Sequence, residues 1–428
     1  MTSRCHHVLG VVCLLVSTAQ SSDWPQILGP ARNGVYAGKD LADAWPKEGP
    51  PIRWQKKVGA GFSGPAVAAG KLVLFHRQND KEIVECLESK TGKSLWSFDY
   101  PATYRDDFGF DDGPRAVPTI ADGQVYTFGA GGMLHCLDFA TGQKIWGADV
   151  RKEFTAPKGF FGLACSPLVG SDYVLLNIGG QEASTVILDQ KSGNVRYRAP
   201  GGGASYSSPV LATFGGITNA VVLTRDMVLV LNPLTDFIQA MYPFRPPIHS
   251  SVTGATPVVV GDEIFISAAY DLGAALLRLK LEKPAEPPRG LLRVSGPPQG
   301  RLEKVWGGDG QLSAHYATPV YHQGFLYGLH GRHDFPGGTE LRCVEWKTGK
   351  VRWGRAGLNG ANLILADNQL LVLTERGELL RFAADPAACK ETGRAQILGA
   401  GVRAYPALAD GLFFARDKNR LVCLDLRP

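Results

Sequence analysis

Glu85-Cys-Leu-Glu-Ser-Lys-Thr-Gly-Lys-Ser-Leu-Trp96, His135-Cys-Leu-Asp-Phe-Ala-Thr-Gly-Gln-Lys-Ile-Trp146 and Arg342-Cys-Val-Glu-Trp-Lys-Thr-Gly-Lys-Val-Arg-Trp353 are copies of one phrase. Upstream of the first two stand Ser63-Gly-Pro-Ala-Val-Ala-Ala-Gly-Lys-Leu-Val-Leu-Phe75 and Ala116-Val-Pro-Thr-Ile-Ala-Asp-Gly-Gln-Val-Tyr-Thr-Phe128, again copies of each other. A repeat of this length is one supersecondary unit that buries its apolar faces only by stacking on neighbours. Each piece has a physical reading. Pro at a strand's start costs no ladder hydrogen bond. The pairs Thr91-Gly92, Asp122-Gly123, Thr141-Gly142 and Thr348-Gly349 supply the positive φ of tight hairpins. Alternation in Leu72-Val-Leu-Phe75 and Val125-Tyr-Thr-Phe128 turns one face toward a neighbouring sheet. The closing Trp is large and flat enough to fill the gap between two sheets. The unit is therefore four antiparallel strands.

Working outward, strand-opening prolines lie at 65, 118, 167, 209, 257, 319 and 406, with gaps of 42 to 62 residues and a last one of 87. The long gap predicts a unit without that Pro near Leu363, where Asn362-Leu-Ile-Leu-Ala-Asp-Asn-Gln-Leu-Leu-Val-Leu373 fits. Fourth strands are read at Trp54, Trp96, Trp146, Tyr197, Met241, Trp306, Trp353 and around Ile397. Both series have eight members. The fold expected is an all-β, eight-bladed β-propeller of four-stranded antiparallel blades, with seven blades if the unit at 363–398 is degenerate. The chain stops at Leu421-Val-Cys-Leu-Asp-Leu-Arg-Pro428, where a Thr-Gly turn and a Trp strand should follow. The missing strand stands at the other end, as Ile52-Arg-Trp-Gln-Lys-Lys-Val58. An N-terminal strand completing the last blade closes the ring and removes two sheet edges. The Pro-rich stretch 281–300 explains the wide fifth unit and reads as a mobile surface loop.

Composition agrees with many short strands: 52 Gly and 28 Pro against only 4 Met, with 44% hydrophobic residues. A net charge of +5, from 45 basic and 40 acidic residues, is too small and too evenly spread for a nucleic-acid surface. Residues 1–19 differ from the rest. Arg4, His6 and His7 precede an apolar run, Val8 to Val16, followed by Ser17, Thr18 and Ala19, which is the layout of a secretory signal peptide. That run is too short to span a bilayer, and Cys13 follows a bulky Val12 where a lipoprotein site would place a small residue. The expected division is a signal peptide at 1–19, an N-terminal extension at 20–51 and the propeller at 52–428, as a monomer exported to the periplasm or cell envelope. Four of the six remaining cysteines, Cys86, Cys136, Cys343 and Cys423, share one repeat context and read as small core residues; Cys165 and Cys389 complete the set.

Endings of the form Asp-x-x-Thr-Gly-x-x-x-Trp resemble the PQQ-type repeats of quinoprotein alcohol dehydrogenases and of the outer-membrane assembly lipoprotein BamB. The opening Asp23-Trp-Pro-Gln-Ile-Leu-Gly-Pro-Ala-Arg-Asn-Gly34 is similar to exported PQQ-like propellers of planctomycete-type bacteria. Gly113-Pro-Arg-Ala-Val-Pro118 and Ala204-Ser-Tyr-Ser-Ser-Pro209 add to the likeness, which covers about residues 23–428. The resemblance implies architecture first. Quinoprotein dehydrogenases hold PQQ on a Trp floor beneath a vicinal disulfide, with Ca²⁺ on carboxylate and amide ligands. This chain has no adjacent cysteines, and no Asp or Glu matches the family's catalytic motifs.

Residues just before the first strands ring the mouth of a propeller's channel: Phe62, Arg115, Phe161, Tyr206, His249, His315, Asn359 and Arg403. Arg115, Tyr206, His315, Arg403, Asn359 and Phe161 are the candidates for binding a planar or anionic ligand by stacking and charge-assisted hydrogen bonds. The loop Tyr104-Arg-Asp-Asp-Phe-Gly-Phe-Asp-Asp-Gly113 matches no Ca²⁺-loop spacing and reads as a solvated acidic loop. His330-Gly-Arg-His-Asp-Phe-Pro-Gly-Gly338 reads as a hairpin loop, so no metal site is assigned. The first functional expectation is a non-catalytic binding or scaffold propeller with an envelope protein or peptide as partner. The alternative is a quinoprotein-like oxidoreductase with PQQ and Ca²⁺ over the channel and Arg115 near the quinone carboxylates.

Overall fold

The computed structural model describes residues 22–180, 183–199, 202–281, 300–332, 334 and 338–428. The expected signal peptide, and all but the ends of the stretch 281–300, lie outside the described residues. The strands form eight sheets in chain order, each antiparallel from the channel outward. Their innermost strands are Ala66–Ala68, Thr119–Ala121, Leu168–Val169, Val210–Phe214, Val258–Val260, Val320–His322, Ala361–Ala366 and Ala407–Ala409. We number the blades one to eight in that order. The unit read near Leu363 is a full blade. Blade eight takes Ile52–Lys57 as its outermost strand, pairing Trp54 with Cys423 and Lys57 with Arg420. The ring is closed as the sequence predicts.

Second strands are buried more completely than alternation implies. Leu72, Val73, Leu74 and Phe75 are all at 0% exposure, because each blade is sandwiched between two others and both of its faces are covered. The closing Trp residues show how. Trp54, Trp96, Trp146 and Trp306 donate from Nε1 to carbonyls of the next blade's turn, at Ser89, Phe139, Gln190 and Trp346, over 2.7 to 3.1 Å. Their rings lie flat against Gly92, Gly142, Gly193 and Gly349, where a Cβ would stand 2.5 to 2.8 Å from ring atoms. So the Gly of each Thr-Gly or Ser-Gly turn gives the positive φ and also the bare surface on which the neighbour's indole rests. All six cysteines of residues 22–428 are free thiols, five of them buried; Cys86, Cys136, Cys343 and Cys423 each pair across the ladder with a Trp.

Every fourth strand also carries a register shift beside that position, a bulge that strengthens the twist. Two strand positions read from sequence are corrected by it. In blade four the pairing Val230↔Ala240 puts Ala240, not Met241, in the Trp place, and Met241 is exposed. In blade seven the last strand is Glu391–Gln396 and ends before Ile397. Gly393 holds the Trp place there, and Trp45 of the N-terminal segment packs on it instead, with a Cβ-to-ring approach of 3.0 Å.

The channel is organised by the residues before the prolines. Backbone N–H groups of Val117, Ser166, Ser208, Thr256 and Thr318 donate in turn to Ser166 Oγ, Ser208 Oγ, Thr256 Oγ1, Thr318 Oγ1 and Tyr405 Oη, at 2.9 to 3.4 Å. The residues that lead into these innermost strands have no ladder partner on the channel side, so these N–H groups need acceptors; a belt of hydroxyls provides them, with Tyr405 reaching past blade seven to blade six. From the end where the inner strands turn back, residues 23–36 enter the channel. Trp24 pairs with Val67 in both directions, Pro25 accepts from Ile120, and Val35–Tyr36 runs parallel to Leu365–Ala366 as a fifth strand on blade seven. The N-terminal segment thus plugs the ring from the face opposite the mouth. Among the described residues the only helix is the four-residue Val150–Glu153, and no helix is long and apolar enough to cross a membrane.

Candidate functional site

The mouth is built by loops that enter the inner strands. The acidic loop before blade two dominates it, and its carboxylates are not all solvated as read. Asp106, whose side chain is at 0% exposure, accepts from Arg115 Nη2 at 2.8 Å and from the N–H groups of Phe108 and Asp111 at 2.9 and 3.2 Å. Asp111 and Asp112 accept from Gly113 N and Asp106 N; Asp107 and Asp112 are the more exposed of the four, Asp107 pairing with Lys158 at 2.5 Å and Asp112 facing Arg105 at 3.7 Å. Arg115 also donates to the carbonyls of Asp111 and Gly113. From blade one, buried Arg77 donates to the carbonyls of Ala102, Tyr104 and Asp112. Two arginines therefore staple the loop, because its polar backbone would otherwise go unsatisfied under its own tip.

What the loop presents is aromatic. Phe108 and Phe110 are 55% and 42% exposed, with ring centroids 6.4 Å apart. Phe108 meets Phe160 and Phe161 at 6.1 and 5.3 Å, and Phe110 meets Phe161 at 6.0 Å. Tyr206 completes the cluster, 5.8 Å from Phe161, its hydroxyl accepting from the N–H groups of Phe160 and Phe161 at 2.9 Å; burial raises its pKa. Arg403 lies 4.9 Å from the Phe110 centroid, and Arg115 and Arg403 flank Phe62 at 5.8 and 5.5 Å. Such contacts hold rings and cations in one layer.

Five of the residues read from the sequence, Phe62, Arg115, Phe161, Tyr206 and Arg403, are thus brought together. His315 lies in another group, its Nε2 at 2.9 Å from Tyr270 Oη. Arg332 stacks over Tyr270 at 4.2 Å and pairs with Asp334 at 2.6 Å, which holds that carboxyl down at about 2. With its amide assigned so that the oxygen faces the donors, Asn359 accepts from Arg376 at 2.5 and 2.9 Å, and Arg403 pairs with Glu375 at 2.7 Å. His249 is exposed; its carbonyl accepts from Arg225, whose guanidinium lies 5.9 Å from the Phe160 centroid. His330 is strand-bound, accepting from Ser313 N at 3.1 Å, and His333 lies outside the described residues. Among the described residues no group of three His, Cys, Asp or Glu is placed to hold a metal. Sequence reading missed Phe108, Phe110, Phe160 and Tyr270; the Phe-Gly-Phe at 108–110 was the available signal, overshadowed by the acids beside it.

The staple gives a direct test. Arg115→Ala leaves Asp106 buried without its cation, which should cost about 3 kcal/mol and free the loop. Chymotryptic cleavage at Phe108 or Phe110 is expected to quicken while the rest of the chain stays resistant; cleavage at the wild-type rate would show that Arg115 does not hold the loop.

The outer membrane protein assembly factor BamB family matches residues 34–212 and 80–280. No curated protein matches by sequence. Among solved structures, a quinohemoprotein alcohol dehydrogenase from Comamonas testosteroni is similar with a TM-score of 0.63 and 14% identity, over 95% of this chain and 80% of that one. BamB from Moraxella catarrhalis gives a TM-score of 0.58 and 14% identity, over 86% of this chain and 97% of that one. A europium-containing methanol dehydrogenase gives 0.52 and 12%, over 94% and 89%. At such identities the likeness to structures is one of fold.

Proposed function

Since this chain belongs to the outer membrane protein assembly factor BamB family, we propose that it is an exported, non-catalytic propeller of the cell envelope that docks a protein or peptide on its mouth face. The observation that carries this reading is the pair of exposed rings, Phe108 and Phe110, held over Phe160, Phe161 and Tyr206 by a loop whose buried Asp106 is spent on Arg115. Exposed aromatics beside arginine are what interface anchors are made of. Docking needs nothing of the channel below, which is plugged from the far side.

The oxidoreductase reading asks the mouth to hold PQQ, a planar polycarboxylate, together with Ca²⁺. The residues do not fit that group. Arg115, Arg403 and Arg332 already face Asp106, Glu375 and Asp334, and the described residues offer no set of carboxylates to hold a cation.

Two measurements decide between the readings. A photo-crosslinking side chain at position 108 should give a discrete adduct with an envelope component, absent from the opposite face at position 323 and lost in Phe110→Asp, whose stability should stay within about 0.5 kcal/mol of wild type. Titration calorimetry with PQQ, with and without Ca²⁺, should show no binding. Saturable one-to-one binding that weakens in Arg115→Ala would overturn the proposal in favour of the oxidoreductase.

A further inference from the structure

The N-terminal plug carries a cation that plays no part in the mouth. Arg32 is 3% exposed and projects into the channel waist. Its Nε donates to Gln26 Oε1 at 2.7 Å. Its Nη1 donates to the carbonyls of Pro209 at 2.8 Å and Ser166 at 3.3 Å. Its Nη2 donates to Thr119 Oγ1 at 3.3 Å and to the carbonyl of Pro167. A guanidinium has five N–H donors in a fixed fork, and here each has an acceptor. None of those acceptors is a carboxylate. Burial pulls the pKa down to about 9, so the group is still charged at neutral pH.

Which side of this contact is shaped for the other can be read from the backbone. Four of the five acceptors belong to blades two, three and four, and three of these are carbonyls at the entry to inner strands. The hydroxyl belt fixes that stretch, with Val117 N on Ser166 Oγ and Ser166 N on Ser208 Oγ. The ring therefore sets the geometry of the pocket. The loop does the bending: Leu28 at φ 60° and Arg32 at φ 51° both occupy the left-handed region, which non-glycine residues avoid.

We propose that the channel waist is a guanidinium-binding site in its own right, with Arg32 as its tethered ligand. The site takes a monosubstituted guanidinium, either free or as an arginine side chain, whenever Arg32 is removed. It discriminates by shape as well as charge. A planar fork reaches acceptors on three blades at once, whereas an ammonium is a compact point with three donors.

The test is chemical rescue in the mature chain. Arg32→Gly deletes the side chain and suits the left-handed backbone. Its thermal midpoint is expected to fall by roughly 5 °C as buried carbonyls lose their donors. Methylguanidinium at millimolar concentration should restore most of that loss saturably and leave wild type unmoved, while methylammonium and urea restore nothing. If Arg32→Gly does not fold unaided, its refolding yield with and without methylguanidinium is the readout. Failure of methylguanidinium to raise either midpoint or yield, or an equal gain from methylammonium, would overturn the proposal.

Discussion

Replacing Ile52–Lys57 by a six-residue Gly-Ser segment, with the plug left in place, is expected to abolish the cooperative unfolding transition and leave an aggregating chain. Ile52–Lys57 supplies the outermost strand of blade eight, paired along Arg420–Asp425. Its loss leaves that strand as a raw edge and uncovers the seam between the last blade and the first. Trp54 alone carries much of this, through its hydrogen bond to Ser89 and its contact with Gly92. Deleting a packed Trp costs about 3–5 kcal/mol, and each ladder hydrogen bond adds about 0.5–1.5 kcal/mol. The sum reaches the whole stability of an ordinary domain, about 5–15 kcal/mol. A propeller also has no second way to close, since every other blade draws its four strands from one stretch of chain. Calorimetry and light scattering check the outcome. A Gly-Ser variant that melts as one transition within a few degrees of wild type would mean that the ring is held by something other than this strand.

That strand was legible because its phrase is missing at the C-terminus and present at the N-terminus. The same holds for blade seven, where the apolar run after Asn362 stood in for an absent Pro. Local pattern was enough, since hairpins, turn glycines and alternation are fixed by neighbours in sequence. Legibility ended where a contact is both distant and made to backbone. Arg32 binds carbonyls of Ser166 and Pro209, 134 and 177 residues away, and a carbonyl has no residue identity to read. The mouth lies between these cases. Counting back from each Pro found the residues that ring it, but not that Asp106, nine positions before Arg115, would claim that guanidinium. The repeat phase slipped at Ala240 for a different reason. A bulge adds one residue to every fourth strand, and only a Trp marks where it falls.

Because indole contacts between blades define that phase, exchanging residues at the marked position and beside it should separate sharply. Trp146→Ala is expected to lower stability by about 3–5 kcal/mol, whereas Met241→Ala should stay within about 0.5 kcal/mol. Trp146 is 9% exposed, donates to Gln190 O at 2.9 Å, and lies against Tyr126 at 6.0 Å and over Gly193. Removing it opens a cavity between blades two and three and strips a buried carbonyl of its donor, two costs that add. Met241 is 47% exposed on the outer strand of blade four and its truncation opens no cavity. Gly193→Ala probes the same seam from the other side. Its φ of 72° disfavours any side chain, and the new methyl would stand 2.6 Å from the Trp146 ring. In the double variant the cramped contact is gone, so Gly193→Ala should cost less in the Trp146→Ala background than alone. Urea unfolding of the four chains measures that difference. Equal costs in both backgrounds would mean that the indole and the turn glycine do not act as one joint, and that the recurrence of Thr-Gly and Trp reflects hairpin geometry alone.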